Sequence, residues 1–299
     1  MKLISYLSFA LLLVSGMLYA DDFTKTYSIE PYSVISDTKM ISEGSALLKS
    51  KKYDAIWTLN DSGNNPNIFA FDFNGMVIKP DWVKKYSGIR IVDAVNIDWE
   101  AITEDDDGNL IIADIGNNYN YRTDLAVYKV AEPNPYYSNE QGIIAKYLIK
   151  YPDQTAFPPD SSHLNYDAES VFYYRSKLHI ISKNRSTPVA NIYVFDSLLP
   201  WTVNVPRILT SFDFKSMVTD AALSPDGKYL AVITYNHIWL FETKDKENPF
   251  NNNYYFKEIS LGQCEGITFL DKENLVISNE KGFLFKINIS EIKKSLVLP

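Results

Sequence analysis

One motif recurs along this 299-residue chain and constrains its fold more than any other feature. It is an acidic residue, then a small residue, then a short apolar or aromatic stretch: ISEGSALL from Ile41, DWEAITED from Asp98, DAESVFYY from Asp167, VTDAALSP from Val218 and QCEGITFL from Gln263. The acids are Glu43, Glu100, Glu169, Asp220 and Glu265. In the last four copies, Asp114, Lys183, Thr234 and Asn279 stand fourteen residues after the acid, each closing an apolar run: LIIAD, LHIISK, LAVIT and LVISN. The first copy keeps the order with AIWTLND, which closes at Asp61. A third run with period-two alternation follows each time: NIFAFD, DLAVYKV, NIYVFD, HIWLFE and GFLFKI. DDDGN, SPDGK and DKEN lie between first and second runs, where hairpin turns are expected.

Alternation of period two over four to eight residues marks strands. Repeats of blade size mark sheets that bury their faces only by stacking on one another. The expectation is an all-β chain, a five-bladed β-propeller. Thr26 to Val34 is expected to add the outer strand of the last blade and close the ring. A six-bladed ring, with a degenerate unit in residues 131–165, is the alternative. Ile289 to Leu296 is the one stretch that reads as helix. The 21 Tyr and 16 Phe agree with strand-rich structure.

Residues 1–20 read differently. Lys2 precedes a hydrophobic run that ends in Leu18-Tyr19-Ala20, before Asp21-Asp22. This is the pattern of a secretory signal peptide cleaved after Ala20. The division is then 1–20 signal peptide and 21–299 single β-propeller domain, exported to the periplasm or the extracellular space. No transmembrane span is expected after cleavage. Loss of Lys2 takes the net charge from −8 to −9. An acidic chain without a basic block is a poor nucleic-acid binder. Cys264 is the single cysteine, so no internal disulfide forms; it is expected to be a small buried residue.

In a propeller, the start of each inner strand and the loop after the second strand meet at one mouth of the central tunnel. Five acids there repel one another: two unit charges about 7 Å apart cost roughly 2 kcal/mol at an effective dielectric near 20. Protonation or a bound cation relieves this. Carboxylates and loop carbonyls without a His pair suit Ca²⁺, so Glu43, Glu100, Glu169, Asp220 and Glu265 are candidate metal ligands. Asp61, Asn117, Asn118, Arg122, Lys183 and Arg185 are candidate ligand-binding residues on the mouth loops, the cations suited to a small anionic or polar ligand. His163 is a candidate general base. His179 is expected in the core.

NDSGN, DWEAI and GNLIIADIGNN, with the following Arg122 and VYKV strand, resemble a set of exported bacterial propeller proteins, most closely over Ile41 to Pro133. That resemblance implies fold and export. The five-blade layout and FPPDSSHLNYDAES before the third blade are similar to calcium-activated nucleotidases (apyrases). That family has a five-bladed propeller with a central Ca²⁺ and hydrolyses nucleoside di- and triphosphates. The resemblance implies Glu100, Glu169 and Glu265 as metal-shell residues, with Arg185 at a basic position. The chain departs from that family at Thr219-Asp220-Ala221 and in a DSGN loop without a basic residue. Metal-dependent lactonases of the regucalcin kind have six blades, so blade count discriminates. Two functions stay open. One is a Ca²⁺ propeller that binds a small ligand, and as an enzyme would be a Ca²⁺-dependent hydrolase of nucleotides, lactones or esters. The other is a non-catalytic scaffold for a protein or glycan partner. An open mouth favours the first; a mouth plugged by residues 152–165 favours the second.

Overall fold

A computed structural model describes residues 28–244 and 246–294, so the expected signal peptide lies outside the described residues. A two-residue strand comes first, β1 (Ser33–Val34). A first meander follows: β2 (Gly44–Lys49), β3 (Ile56–Asn60), β4 (Asn67–Phe71), the short β5 (Val77–Ile78) and β6 (Ile89–Val92). The second comprises β7 (Trp99–Glu104), β8 (Asn109–Asp114), β9 (Ala126–Ala131) and β10 (Glu140–Ile149). The third has β11 (Ala168–Tyr174), β12 (Lys177–Ser182), β13 (Val189–Val194) and, after the short β14 (Val203–Asn204), which pairs parallel with β10 of the second, β15 (Arg207–Asp213). The fourth is β16 (Val218–Leu223), β17 (Tyr229–Thr234), β18 (His237–Glu242) and β19 (Tyr254–Glu258). The last is β20 (Cys264–Phe269), β21 (Asn274–Asn279) and β22 (Phe283–Asn288), followed by a one-turn helix, α1 (Ile289–Lys293).

Each meander is antiparallel from its first strand outwards. The last one borrows its outer strand from the N-terminal side: β1 pairs with β22, Ser33 opposite Leu284 and Val34 opposite Phe283. The last meander is therefore closed by a strand that precedes the first, as the repeat pattern predicts, with Thr26 and Tyr27 of the expected strand outside the described residues. Residues 131–165 supply the outer strand β10 and one 3-10 turn at Ser161–His163, not a further meander. β10 also runs parallel to β6, which joins the first two meanders into one ten-stranded sheet.

The first strands β2, β7, β11, β16 and β20 pack side by side, and β20 returns to β2. Between consecutive meanders lies an apolar layer. Trp57 and Trp99 share one, Val127 and Val171 the next, Phe172 and Trp239 the third, Ile233 and Ile277 the fourth, and Val276 and Ile56 the last. A small sheet has two apolar faces, and a circular stack covers both. The molecule is an all-β chain with β-propeller architecture. His179 is 1% exposed and stacks on Phe172 at 4.6 Å; burial lowers its pKa to about 4. Cys264 is buried, its thiol pushed up to about 12 by burial. No helix among the described residues is long and apolar enough to cross a membrane.

Candidate functional site: an acidic cavity at the tunnel mouth

Every first strand is irregular near its start. The register slips between Ser45 and Leu48, Trp99 and Ala101, Ala168 and Ser170, Val218 and Asp220, and Cys264 and Gly266. A bulge leaves one residue unpaired and re-aims its side chain. In the second, third and last meanders that residue is Glu100, Glu169 or Glu265. All three line one cavity of about 490 Å³. These three acids are therefore bulge residues rather than ordinary members of the ladder.

The strand register corrects the sequence alignment at two acids. Gly44 pairs with Asn60 as Trp99 pairs with Asp114, so Ser45 occupies the place of Glu100, and Glu43 occupies that of Asp98. Glu43 still lines the cavity and accepts from Asn64 Nδ2 at 2.7 Å. In the fourth meander the bulge residue is Thr219, and Asp220 comes one position later. Asp220 is fully buried and does not line the cavity. Its Oδ2 accepts from the amides of Leu47 at 3.1 Å and Ile267 at 2.8 Å, and its Oδ1 from the Ala221 amide at 2.8 Å. It ties three first strands together across the ring.

The loops after the second strands complete the cavity with Asp61, Asn118, Lys183, Arg185, Tyr235, Glu280 and Lys281. Lys183 donates to Glu169 Oε1 and, at 2.7 Å, to the Tyr235 hydroxyl. Both partners of the Lys183–Glu169 pair are buried, and Glu169 Oε2 has no hydrogen-bond partner. Arg185 lies 2.7 Å from Asp167 Oδ2 and also donates to Asn118 Oδ1.

Besides Asp220, three expected site residues lie outside the cavity lining. Asn117 receives the Arg122 amide on its Oδ1 and donates to the Tyr166 carbonyl, while its own amide meets Asp167 at 2.6 Å. Arg122 is buried behind the loop, 3.0 Å from Asp114, and donates to the Gly116 carbonyl at 2.7 Å. These two brace the loop and leave Asn118 to face the cavity. His163 is exposed and paired with Asp160 at 2.8 Å, on a loop that contributes nothing to the cavity lining.

Asp98 was hidden in the sequence by its stronger neighbour Glu100. Both line the cavity, and the Gly116 backbone lies against both carboxylates: a Cβ there would stand 2.4 Å from Asp98 Oδ2 and 2.7 Å from Glu100 Oε1. The Asp-x-Glu pattern at 98–100 and again at 167–169 is the signal that could have revealed this second row.

Burial and mutual repulsion raise the proton affinity of the lining. Asp61 is pushed up to about 7, first by burial and then by Glu43 and Asp98. Asp98 is raised to about 6 by burial and Asp167. Glu169 reaches about 8, burial outweighing the attraction of Lys183. Glu100 is raised well above the carboxylate range by burial, then Glu169 and Asp98; Glu265 is also raised, chiefly by burial. Asp61 Oδ1, like Glu169 Oε2, is buried without a partner. Among the described residues, no three His, Cys, Asp or Glu side chains are grouped tightly enough to hold a metal ion by themselves.

No family model matches this chain, and no curated protein does. Among solved structures, it is similar to the β-propeller domain of Myceliophteria thermophila Cps50 (Swd1), at 10% identity. The match covers 82% of this chain and 97% of that one, with a TM-score of 0.39.

Proposed function

We propose that the chain is an exported five-bladed β-propeller whose mouth binds Ca²⁺ and, beside it, a small polar ligand. Five meanders with five apolar layers between them support the blade count. The leader-like residues 1–20 support export.

One observation carries the cation site: seven carboxylates line the mouth against three cations. They are Glu43, Asp61, Asp98, Glu100, Glu169, Glu265 and Glu280, facing Lys183, Arg185 and Lys281. Without a cation, burial first and mutual repulsion second favour protons on the lining, and both raise the pKa values of Asp61, Asp98 and Glu169. The orphan oxygens of Asp61 and Glu169 fit a cation as well. Ca²⁺ accepts six to eight oxygens in loose geometry and tolerates water among them. That suits carboxylates arranged around a space rather than converging on a point. Glu100, Asp98, Asp61 and Glu169 are the first candidates to hold it.

Lys183 and Arg185 are already matched by Glu169 and Asp167, so they do not present free positive charge to an anion. The anionic-ligand reading therefore narrows to ligands that approach with the ion. A bound Ca²⁺ would polarise a phosphoryl or carbonyl oxygen of such a ligand and lower the pKa of a neighbouring water. Tyr235 and Asn118 then supply uncharged hydrogen-bonding groups. No residue of 152–165 lines the cavity, which favours ligand binding over the scaffold role.

Thermal unfolding with Ca²⁺, Mg²⁺ or EDTA, followed by assays of nucleotide, lactone and ester turnover, tests this reading. Ca²⁺ should raise Tm, and Glu100→Gln should weaken that rise. Absence of any Ca²⁺ response in the wild-type chain would sink the cation site. A Ca²⁺ response without turnover would leave a binding propeller and remove the hydrolase.

A further inference from the structure

A second cavity, of about 510 Å³, lies away from the mouth, where β6 joins the sheets of the first two meanders. We propose that it binds a neutral saccharide. Its lining includes Asn67, whose Nδ2 donates to the Ser87 carbonyl at 2.7 Å. Asn67 is 6% exposed, yet its Oδ1 has no partner; the Tyr86 hydroxyl, also in the lining, is buried without one. Buried polar atoms are seldom left unpaired, so these two mark a place where a donor and an acceptor are missing. A sugar hydroxyl is both.

The charges around the cavity balance, Lys85 and Arg90 against Asp93 and Glu140. The Arg90–Glu140 contact is long, 3.9 Å, and both side chains are more than half exposed, so neither holds the other firmly. A balanced set of donors and acceptors suits an uncharged polyhydroxyl ligand better than an ion of either sign. Two aromatic rings stand next to lining residues in the chain. Trp82, 60% exposed, precedes Val83; Tyr137, 71% exposed, comes two residues before Asn139. The Trp82 indole N–H donates to the Tyr137 carbonyl at 3.2 Å, which holds the two segments together. The exposed Trp82 ring, anchored by its indole N–H, and the exposed Tyr137 ring beside it are flat apolar faces of the kind on which the C–H face of a pyranose packs. Gly88, at φ +97 and tight against Phe69, keeps the intervening backbone close to the sheet.

The test is affinity gel electrophoresis of the whole chain in EDTA, so that mouth Ca²⁺ plays no part. The gels contain xylan, mixed-linkage β-glucan, galactomannan or soluble chitosaccharides, with polygalacturonate as the anionic comparison. Retardation by at least one neutral glycan is expected. Trp82→Ala should weaken it about tenfold, equivalent to about 1.4 kcal/mol. Tyr86→Phe should weaken it severalfold, while Glu100→Gln should leave it unchanged. The proposal is overturned if no neutral glycan retards the protein, if polygalacturonate retards it more than any neutral glycan, or if retardation survives both Trp82→Ala and Tyr86→Phe. Because Glu100→Gln and EDTA address the mouth alone, failure here and failure of the Ca²⁺ site are told apart.

Discussion

Gly116 and Asp98 touch so closely that a methyl group on Gly116 would lie 2.4 Å from the Asp98 carboxylate. The same Cβ would crowd Glu100. Gly116→Ala must therefore displace the carboxylates, the loop or both. Overpacking of this kind costs about 1–3 kcal/mol. The expected result is a lower Tm together with a blunted Ca²⁺ response. Denaturation with and without Ca²⁺ checks it; an unaltered Ca²⁺ response would separate this glycine from the cation site.

Asp220 serves the ring rather than the cavity. Its carboxylate takes three backbone amides from three different first strands, and it is fully buried. Asp220→Ala orphans those amides, at about 1–3 kcal/mol for each unsatisfied group. Chemical denaturation should show a loss of about 3 kcal/mol or more. Asp220→Asn keeps one acceptor and should cost less. In whatever fraction of either variant still folds, Ca²⁺ should raise Tm as it does in wild type.

These two residues show what the sequence could and could not convey. The apolar alternation of LIIAD or LAVIT exposes strand order directly, because side chains on a strand alternate with period two. The closure of the last meander by Ser33–Val34 follows from a missing fourth strand. The facing of individual acids does not follow, because a bulge shifts the period by one residue. Glu100 and Thr219 share a structural place, while the eye aligns Glu100 with Asp220 by chemistry. Loop residues resist reading for a related reason. Asn117 and Asn118 are neighbours of identical type, yet one is fixed by Arg122 and Asp167 and the other faces the cavity. Asp167 in particular lay unmarked, two residues before the more obvious Glu169.

The Glu169–Lys183 pair gives a third prediction. Both groups are buried, and removal of one leaves a charge without compensation. Such losses run at about 3–5 kcal/mol. Lys183→Met should destabilise on that scale, and Glu169 should become neutral. The double variant Glu169→Gln/Lys183→Met should recover part of the loss, since neither side then carries a buried charge. A double-mutant cycle from urea unfolding measures the coupling; strict additivity would show that the pair contributes nothing as a pair.

The cavity acids set the pH dependence. Asp61, Asp98 and Glu169 have folded pKa values of about 7, 6 and 8, above their ordinary values of 3.8, 3.8 and 4.5. A raised carboxyl pKa means that the folded chain binds more protons than the unfolded one. Stability from these groups therefore falls as pH rises from about 4, and the fall is complete above about pH 8. Asp105, Asp226 and Asp271 are shifted downwards by their hydrogen bonds and ion pairs, so their contribution is lost only as pH drops below the carboxylate range. Buried His179, lowered to about 4, works in the opposite sense up to about pH 6.5, so in EDTA Tm should decline between pH 6.5 and pH 8. Added Ca²⁺ should offset the decline, with a larger rise in Tm at pH 8 than at pH 5, because protons compete for the same oxygens at low pH. Asp61→Asn with Glu169→Gln should flatten the EDTA profile. A profile in EDTA that rises steadily from pH 6.5 to pH 8 would mean that these carboxylates are not crowded in solution, and the electrostatic case for the cation would go with it.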